Sequence, residues 1–177
     1  KQLITDYLRD RLVETGWKFC LGSELDRSDL SEPLLINNLR ASLKKINADL
    51  NITDKEIDEV IQEIKLVPMG ETGAKQMLHY LKYGVGVKFY QDKIVKIVNL
   101  FDFANPANND FIVSREVYFK GAETVRADLV LYVNGIPLVN VEGKNPLSLS
   151  VSWQDAYRQI KKYERVAGEA YKYIQIG

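Results

Sequence analysis

Two runs of β-branched and large apolar residues, Leu129 to Val133 and Ile136 to Val141, are separated only by Asn134-Gly135. These two residue types tolerate the left-handed backbone that a tight hairpin demands, so the pair is the strongest local folding instruction in the chain. It commits the chain to an antiparallel ribbon. Folding there carries Asp128 back towards Glu142 and Lys144.

The register of that ribbon decides what the three charged groups can do together. A loop of only Asn134 and Gly135 would set Asp128 opposite Val141 and leave Glu142 on the other face, because a one-residue slip exchanges the faces of a strand. A three-residue loop, Asn134-Gly135-Ile136, sets Asp128 opposite Glu142 and places Lys144 on their face. A bulge that shifts the pairing by one residue does the same. In that register Leu129, Leu131, Val133, Pro137, Val139, Val141 and Gly143 form an apolar face suited to a core. Burial and charge clustering select the same register, and the expectation is the three-residue loop or an equivalent bulge.

Two carboxylates and a lysine on one face suit metal-assisted hydrolysis of a phosphodiester. A hard divalent cation held by Asp128 and Glu142 would neutralise phosphate charge and sharpen a water as nucleophile, while Lys144 would stabilise the developing negative charge. A bare Glu-x-Lys is weak evidence, and the bland alternative is a surface hairpin with solvated charges. The chain holds a second such triplet, Glu63-Ile64-Lys65, on a helical pattern where solvated charges are the simpler reading. Only Glu142-Gly143-Lys144 ends an apolar strand with an aspartate returned to it.

From Asp128 to Pro146 the chain resembles the PD-(D/E)xK nuclease motif, and more narrowly the N-terminal nuclease domain of the restriction (motor) subunit of type I restriction-modification enzymes. Further landmarks stand in the same order as in that family: Leu81 to Val87, Phe101 to Val113, Asn134 to Val139, and Gln159 to Tyr163 (Q-I-K-K-Y). The resemblance implies a restriction-endonuclease-like α/β fold, a mixed sheet flanked by helices, that cuts double-stranded DNA with Mg²⁺, for which Mn²⁺ may substitute. It implies metal binding by Asp128 and Glu142, assistance from Lys144 and a site contribution from Gln159 and Tyr163. It also implies methyltransferase and specificity subunits as partners, and an ATP-driven motor elsewhere in the parent subunit. Ala127 stands where the motif's name has proline, a position of shape and not of chemistry. An acidic residue on the first helix often completes such sites; Asp6, Asp10 and Glu14 are the candidates.

The 177 residues suit one domain, and 46% hydrophobic content is ordinary for a globular chain. No apolar run approaches membrane-spanning length. One cysteine, Cys20, excludes an internal disulfide and a cysteine zinc cluster and fits a reducing cytoplasm, while the single His79 makes histidine-based chemistry a poor expectation. Lys1 begins within a helical pattern without a starting methionine, and a fragment of a longer protein is expected. The net charge is zero, so attraction to DNA must be local. Arg158, Lys161, Lys162 and Arg165 lie together near the proposed site and are candidate phosphate contacts, whereas Asp49 to Glu63 holds six acids and one lysine.

The first part of the chain, to about residue 84, reads as helical, and the remainder as a strand-rich catalytic core. Helical spacing from Leu3 to Leu12 ends at Gly16, and Trp17 to Leu21 reads as a short strand. Ser31 would cap a second helix carrying Pro33 in its first turn, with Leu35, Leu39, Leu43 and Ile46 as its stripe. Thr53 and Glu56 form a capping box for a third, with the stripe Ile57, Val60, Ile61 and Ile64. A fourth spans about Thr72 to Tyr83, closed by Gly84. Gly70 to Lys75 resembles a phosphate loop, but Gln76 follows the lysine where the motif needs serine or threonine, so no ATP site is expected in this chain. Strands are expected over Val85 to Tyr90, Ile94 to Phe103 and Phe111 to Phe119. Ser152 would cap a helix running to about Ala167, followed by a strand-like run from Tyr171 to Ile176.

Overall fold

The computed structural model describes residues 2–143 and 153–177; Lys1 and residues 144–152, which include Lys144 and the expected cap Ser152, lie outside the described residues. The described chain runs α1 (Gln2–Glu14), β1 (Lys18–Leu21), α2 (Ile36–Ile46), α3 (Asp54–Leu66), α4 (Glu71–Tyr83), β2 (Val85–Phe89), β3 (Ile94–Val98), β4 (Phe111–Lys120), β5 (Thr124–Val133), β6 (Ile136–Val141), α5 (Trp153–Val166) and α6 (Gly168–Tyr171). The main sheet has the order β1-β4-β5-β6, with β1 parallel to β4 and the other pairs antiparallel. The expected mixed sheet with flanking helices is what forms, and it is a restriction-endonuclease-like α/β arrangement. The β2–β3 hairpin makes a separate two-stranded sheet.

The stripes of α3 and α4 and the Leu39–Leu43 part of the α2 stripe become core, whereas Ile46 is half-buried, Leu35 precedes α2, and the α1 stripe stays at the surface with Ile4 and Tyr7 exposed. Ile57, Val60, Ile61 and Ile64 of α3 are all buried, against Leu39 and Leu43 of α2, Met77 and Leu81 of α4, and Val85, Val87 and Phe89 of β2. Each such side chain contributes about 1.5–3 kcal/mol by leaving water. The capping box holds: the Glu56 carboxylate accepts the Thr53 backbone N–H at 3.0 Å and the Thr53 hydroxyl. Gly84, with φ of 78°, closes α4.

Helix α2 starts later than its sequence suggests. Asp29 captures the Ser31 backbone and hydroxyl at 2.5 Å, Glu32 accepts the Leu34 N–H at 3.1 Å, and the Leu35 N–H donates to Gly135 O at 2.9 Å. Those bonds pin the backbone outside the helix, so Ser31 caps nothing and Pro33 precedes the first turn. Two strand expectations also shorten or change. β3 ends at Val98, where the Asn99 N–H is taken by the Asn47 side chain at 2.8 Å, and Tyr171 to Ile176 is helix α6 and a turn, with only a bridge from Ile176 to Val139.

The hairpin tip joins the two halves of the molecule. Asn134 and Gly135 have φ of 53° and 80°, and Asn134 is fully buried. Its amide donates to Leu100 O at 2.8 Å and to Asn109 Oδ1 at 2.9 Å, and its Oδ1 accepts the Asp110 N–H at 2.7 Å. A Cβ on Gly135 would stand 2.4 Å from Leu35 O, so this position needs glycine for space as well as for its backbone angle.

The loop is two residues and not three: Val133 pairs with Ile136 and Tyr132 with Pro137. A bulge then inserts Leu138, after which Leu131 pairs with Val139 and Leu129 with Val141. The correction to the expected loop therefore leaves the functional register in place, with Asp128 next in line to face Glu142. One further expectation changes. Val130 and Tyr132, which share the face of Asp128, are fully buried, whereas Leu131, Val133, Val139 and Val141 of the expected core face are only half-buried and Pro137 pairs with Tyr132 on the opposite face; β5 is a central strand covered on both faces.

Candidate active site

Asp128 lies on β5, only 7% exposed, and its Oδ2 accepts the Gly143 N–H at 3.0 Å. That bond ties the carboxylate to the end of β6, where Glu142 sits half-buried. Helix α5 crosses above. The Gln159 amide donates to Glu142 Oε2 at 2.8 Å and to the Tyr163 hydroxyl oxygen at 2.6 Å, and the Tyr163 hydroxyl donates to Arg126 O at 3.0 Å. A single chain of hydrogen bonds thus runs from β5 through α5 to β6 and fixes the direction of the Glu142 carboxylate. Gln159 and Tyr163 meet because residues four apart share one face of a helix.

Four of the five expected site residues are brought together: Asp128, Glu142, Gln159 and Tyr163. The fifth, Lys144, is outside the described residues. The Tyr163 ring is also partly buried against the core and meets Tyr171 edge-on at 6.1 Å, so it has a packing role beside its polar one. Of the basic residues on α5, Arg158 pairs with Asp155 at 2.9 Å, Lys161 with Glu164 at 2.7 Å and Lys162 with Glu123 at 2.7 Å. All three, and Arg165, are exposed, and the acids moderate the positive field they offer. On α1, Asp6 pairs with Arg9 at 2.9 Å and with Arg115 at 3.2 Å, Asp10 with Arg9, and Glu14 with Arg11.

Sequence reasoning passed over three neighbours. Arg126 precedes Asp128 by two residues and Asn140 precedes Glu142 by two, and period-two alternation was the available signal for both. The Asn140 amide donates to the Tyr171 hydroxyl at 2.7 Å in the buried layer below Glu142. Burial, and next to it the negative charge of Glu142, push the Tyr171 hydroxyl well above the usual phenol range, so it stays protonated. Away from the site, burial raises the Cys20 thiol, as expected of a packed cysteine, and His79 lies exposed on α4 against Tyr83.

The donor set suits a hard cation. Asp128 on β5 and Glu142 just past the end of β6 offer only oxygen, and Mg²⁺ is typically held by one or two carboxylates with water and substrate phosphate completing its shell. Among the described residues no group of three or more histidine, cysteine or acidic side chains gathers to hold a metal.

Curated relatives are similar to this chain along most of its length. A putative type I restriction enzyme MjaVIIIP endonuclease subunit of Methanocaldococcus jannaschii is 28% identical over 172 residues, 95% of this chain and 16% of the relative. The type I restriction enzyme HindI endonuclease subunit of Haemophilus influenzae is 29% identical over 179 residues, 93% of this chain and 17% of the relative. The chain therefore spans about one sixth of the length of the relatives it matches. The family model described as type I restriction enzyme R protein N terminus matches residues 1–177, and the chain belongs to that family.

Proposed function

We propose that the chain is the nuclease part of a type I restriction enzyme, hydrolysing DNA phosphodiester bonds with Mg²⁺ at Asp128 and Glu142. The observation that carries the reading is the bulge in β6. Without it the Asn134-Gly135 turn would put the two acids on opposite faces of the sheet; with it the last pair, Leu129–Val141, leaves them next in line to face one another.

Bound between these carboxylates, a divalent cation supplies charge neutralisation and a more acidic water. The chain's own groups do the rest. Asp128 is held by the Gly143 N–H and Glu142 by Gln159, so neither carboxylate has to reorganise when substrate arrives. Lys144, two residues past Glu142, supports the attacking water and the negative charge that grows on the phosphate. Tyr163 and Gln159 keep α5 docked at the mouth of the site, and its basic residues meet the DNA backbone without reading bases. Cleavage is therefore sequence-independent in this part and follows ATP-driven translocation by the rest of the subunit. The partners are double-stranded DNA and the methyltransferase and specificity subunits, in a reducing cytoplasm.

Lys144→Ala in the complete restriction subunit tests the reading. Cleavage of a plasmid bearing the recognition site should fall by about a hundredfold or more, the usual loss for one charge-stabilising group, while ATP hydrolysis stays near normal. Undiminished cleavage would remove Lys144 from the site.

A further inference from the structure

We propose that Arg126 is a phosphate ligand of this site, held in reserve by Asp128 until a cation takes that carboxylate. The proposal rests on the metal-nuclease reading above and adds a substrate contact to it. Arg126 lies on β5 two residues before Asp128, on the same face of the strand. Its guanidinium stands 3.9 Å from Asp128 Oδ1 and 3.9 Å from Glu116 Oε1. Both separations are too long for hydrogen bonds, so the group is attracted by two acids and anchored to neither. Among the described basic side chains it is the one whose ion pair reaches a candidate metal ligand, and it remains 45% exposed.

The backbone beneath it is fixed. Arg126 O accepts the Tyr163 hydroxyl, and its partner across β4 is Tyr118. The base of the side chain is therefore set by the same clamp that orients Glu142, and its tip rests on the Tyr118 hydroxyl, a neutral partner that a phosphate can replace or join. Glu116 comes from the β4 position between the pairs Arg115–Leu129 and Val117–Ala127, which is opposite Asp128, and has φ of 56°. The guanidinium thus spans the two central strands at the mouth of the site.

A divalent cation arriving at Asp128 reverses the local balance. It neutralises the carboxylate that attracts Arg126 and places positive charge within a few ångströms of the guanidinium, which then favours the nearest exposed anion. In a nuclease site that anion is a DNA phosphate, whose oxygens match the planar donor fork of arginine. Before the cation binds, the same guanidinium lessens the repulsion between Asp128 and Glu116. Arg126 acts on the substrate and not on the fold.

The test uses the 177-residue protein as wild type, Arg126→Ala, Arg126→Lys and Asp128→Asn. Each is titrated with Mn²⁺ alone by calorimetry, and with a fluorescent duplex of mixed sequence in Ca²⁺ at several salt concentrations. Arg126→Ala should bind Mn²⁺ at least as tightly as wild type, because a competing cation is gone. Its duplex affinity should fall roughly tenfold or more, with a salt slope smaller by about one. Arg126→Lys should keep the slope and lose several-fold in affinity, because it retains the charge without the fork, and it carries the test if the alanine variant does not fold. Unchanged duplex affinity in both variants, or absence of duplex binding by wild type, overturns the proposal. So does weaker Mn²⁺ binding with unchanged duplex affinity, which would make Arg126 a prop for Asp128. Asp128→Asn separates the two layers: loss of Mn²⁺ binding supports the metal site whatever Arg126 does, and full Mn²⁺ binding overturns the site and this proposal together.

Discussion

Tyr163 shows how much one side chain does here. Its hydroxyl accepts from Gln159 and donates to Arg126 O, while its ring packs against Tyr171 and the core. Tyr163→Ala would remove both roles at once, whereas Tyr163→Phe keeps the ring and deletes the polar link. Phenylalanine there should lower the melting temperature by only a few degrees, in keeping with about 1 kcal/mol for one hydrogen bond. Cleavage should fall more than stability does, by about tenfold or more, because Gln159 loses the partner that aims it at Glu142. Paired melting and single-turnover cleavage measurements check this; a large loss of stability with cleavage per folded molecule intact would make Tyr163 a packing residue alone.

The hairpin was legible as an element and its interior was not. Asn134-Gly135 announced the turn, and the demand that Asp128 and Glu142 share a face announced a one-residue shift. Where the shift would fall could not be read, because a three-residue loop and a bulge satisfy the same parity. The structure puts it at Leu138, since Asn134 and Gly135 are both held by tertiary contacts that a wider loop would break. Similarly, Asp29 and Glu32 look like ordinary surface acids, and their capture of the backbone before α2 depends on Gly135 lying next to Leu35. The Thr53–Glu56 box was readable because it is local. Lys144 and Ser152 fall where the structure offers no description, so those expectations stand on sequence alone.

Two predictions belong to these elements. Asn134→Gly keeps the left-handed backbone but removes the buried amide, leaving Leu100 O and the Asp110 N–H without their partner. It should destabilise the protein by about 2–4 kcal/mol in urea denaturation, and a cost below about 0.5 kcal/mol would mean the turn is not the joint described. At the start of α3, the Thr53 hydroxyl first, and then backbone donors, hold the buried Glu56 carboxyl below the usual range. A carboxyl depressed in the folded state stabilises it above the unfolded value of about 4.3, and that contribution is lost as the pH falls through the lower folded value. Stability curves of wild type and Glu56→Gln should therefore converge as the pH drops below about 4. A gap that stays constant down to pH 2 would show that the charge of Glu56 does not matter.

At the scale of the whole molecule, a helical part and a sheet part meet at the Asn134-Gly135 tip, while the carboxylates lie at the other end of the same ribbon. Tip and site are therefore coupled through two strands whose register cannot slip without turning every side chain over. The sequence is also polarised despite its zero net charge, with acids over Asp49 to Glu63 and bases on α5. The structure tempers the basic side by pairing three of its four residues with acids, so the local positive field is weaker than the sequence suggests. No helix among the described residues is long and apolar enough to cross a membrane.

The central claim is that the bulged register builds a two-carboxylate metal site, and anomalous diffraction from crystals soaked in Mn²⁺ tests it most directly. The account predicts a strong peak between Asp128 and Glu142, with an oxygen of each carboxylate at about 2.1 Å from it, and its loss in crystals of Glu142→Gln. A soaked crystal with no peak between those two carboxylates, or with its peak bound elsewhere and unchanged by Glu142→Gln, would contradict it.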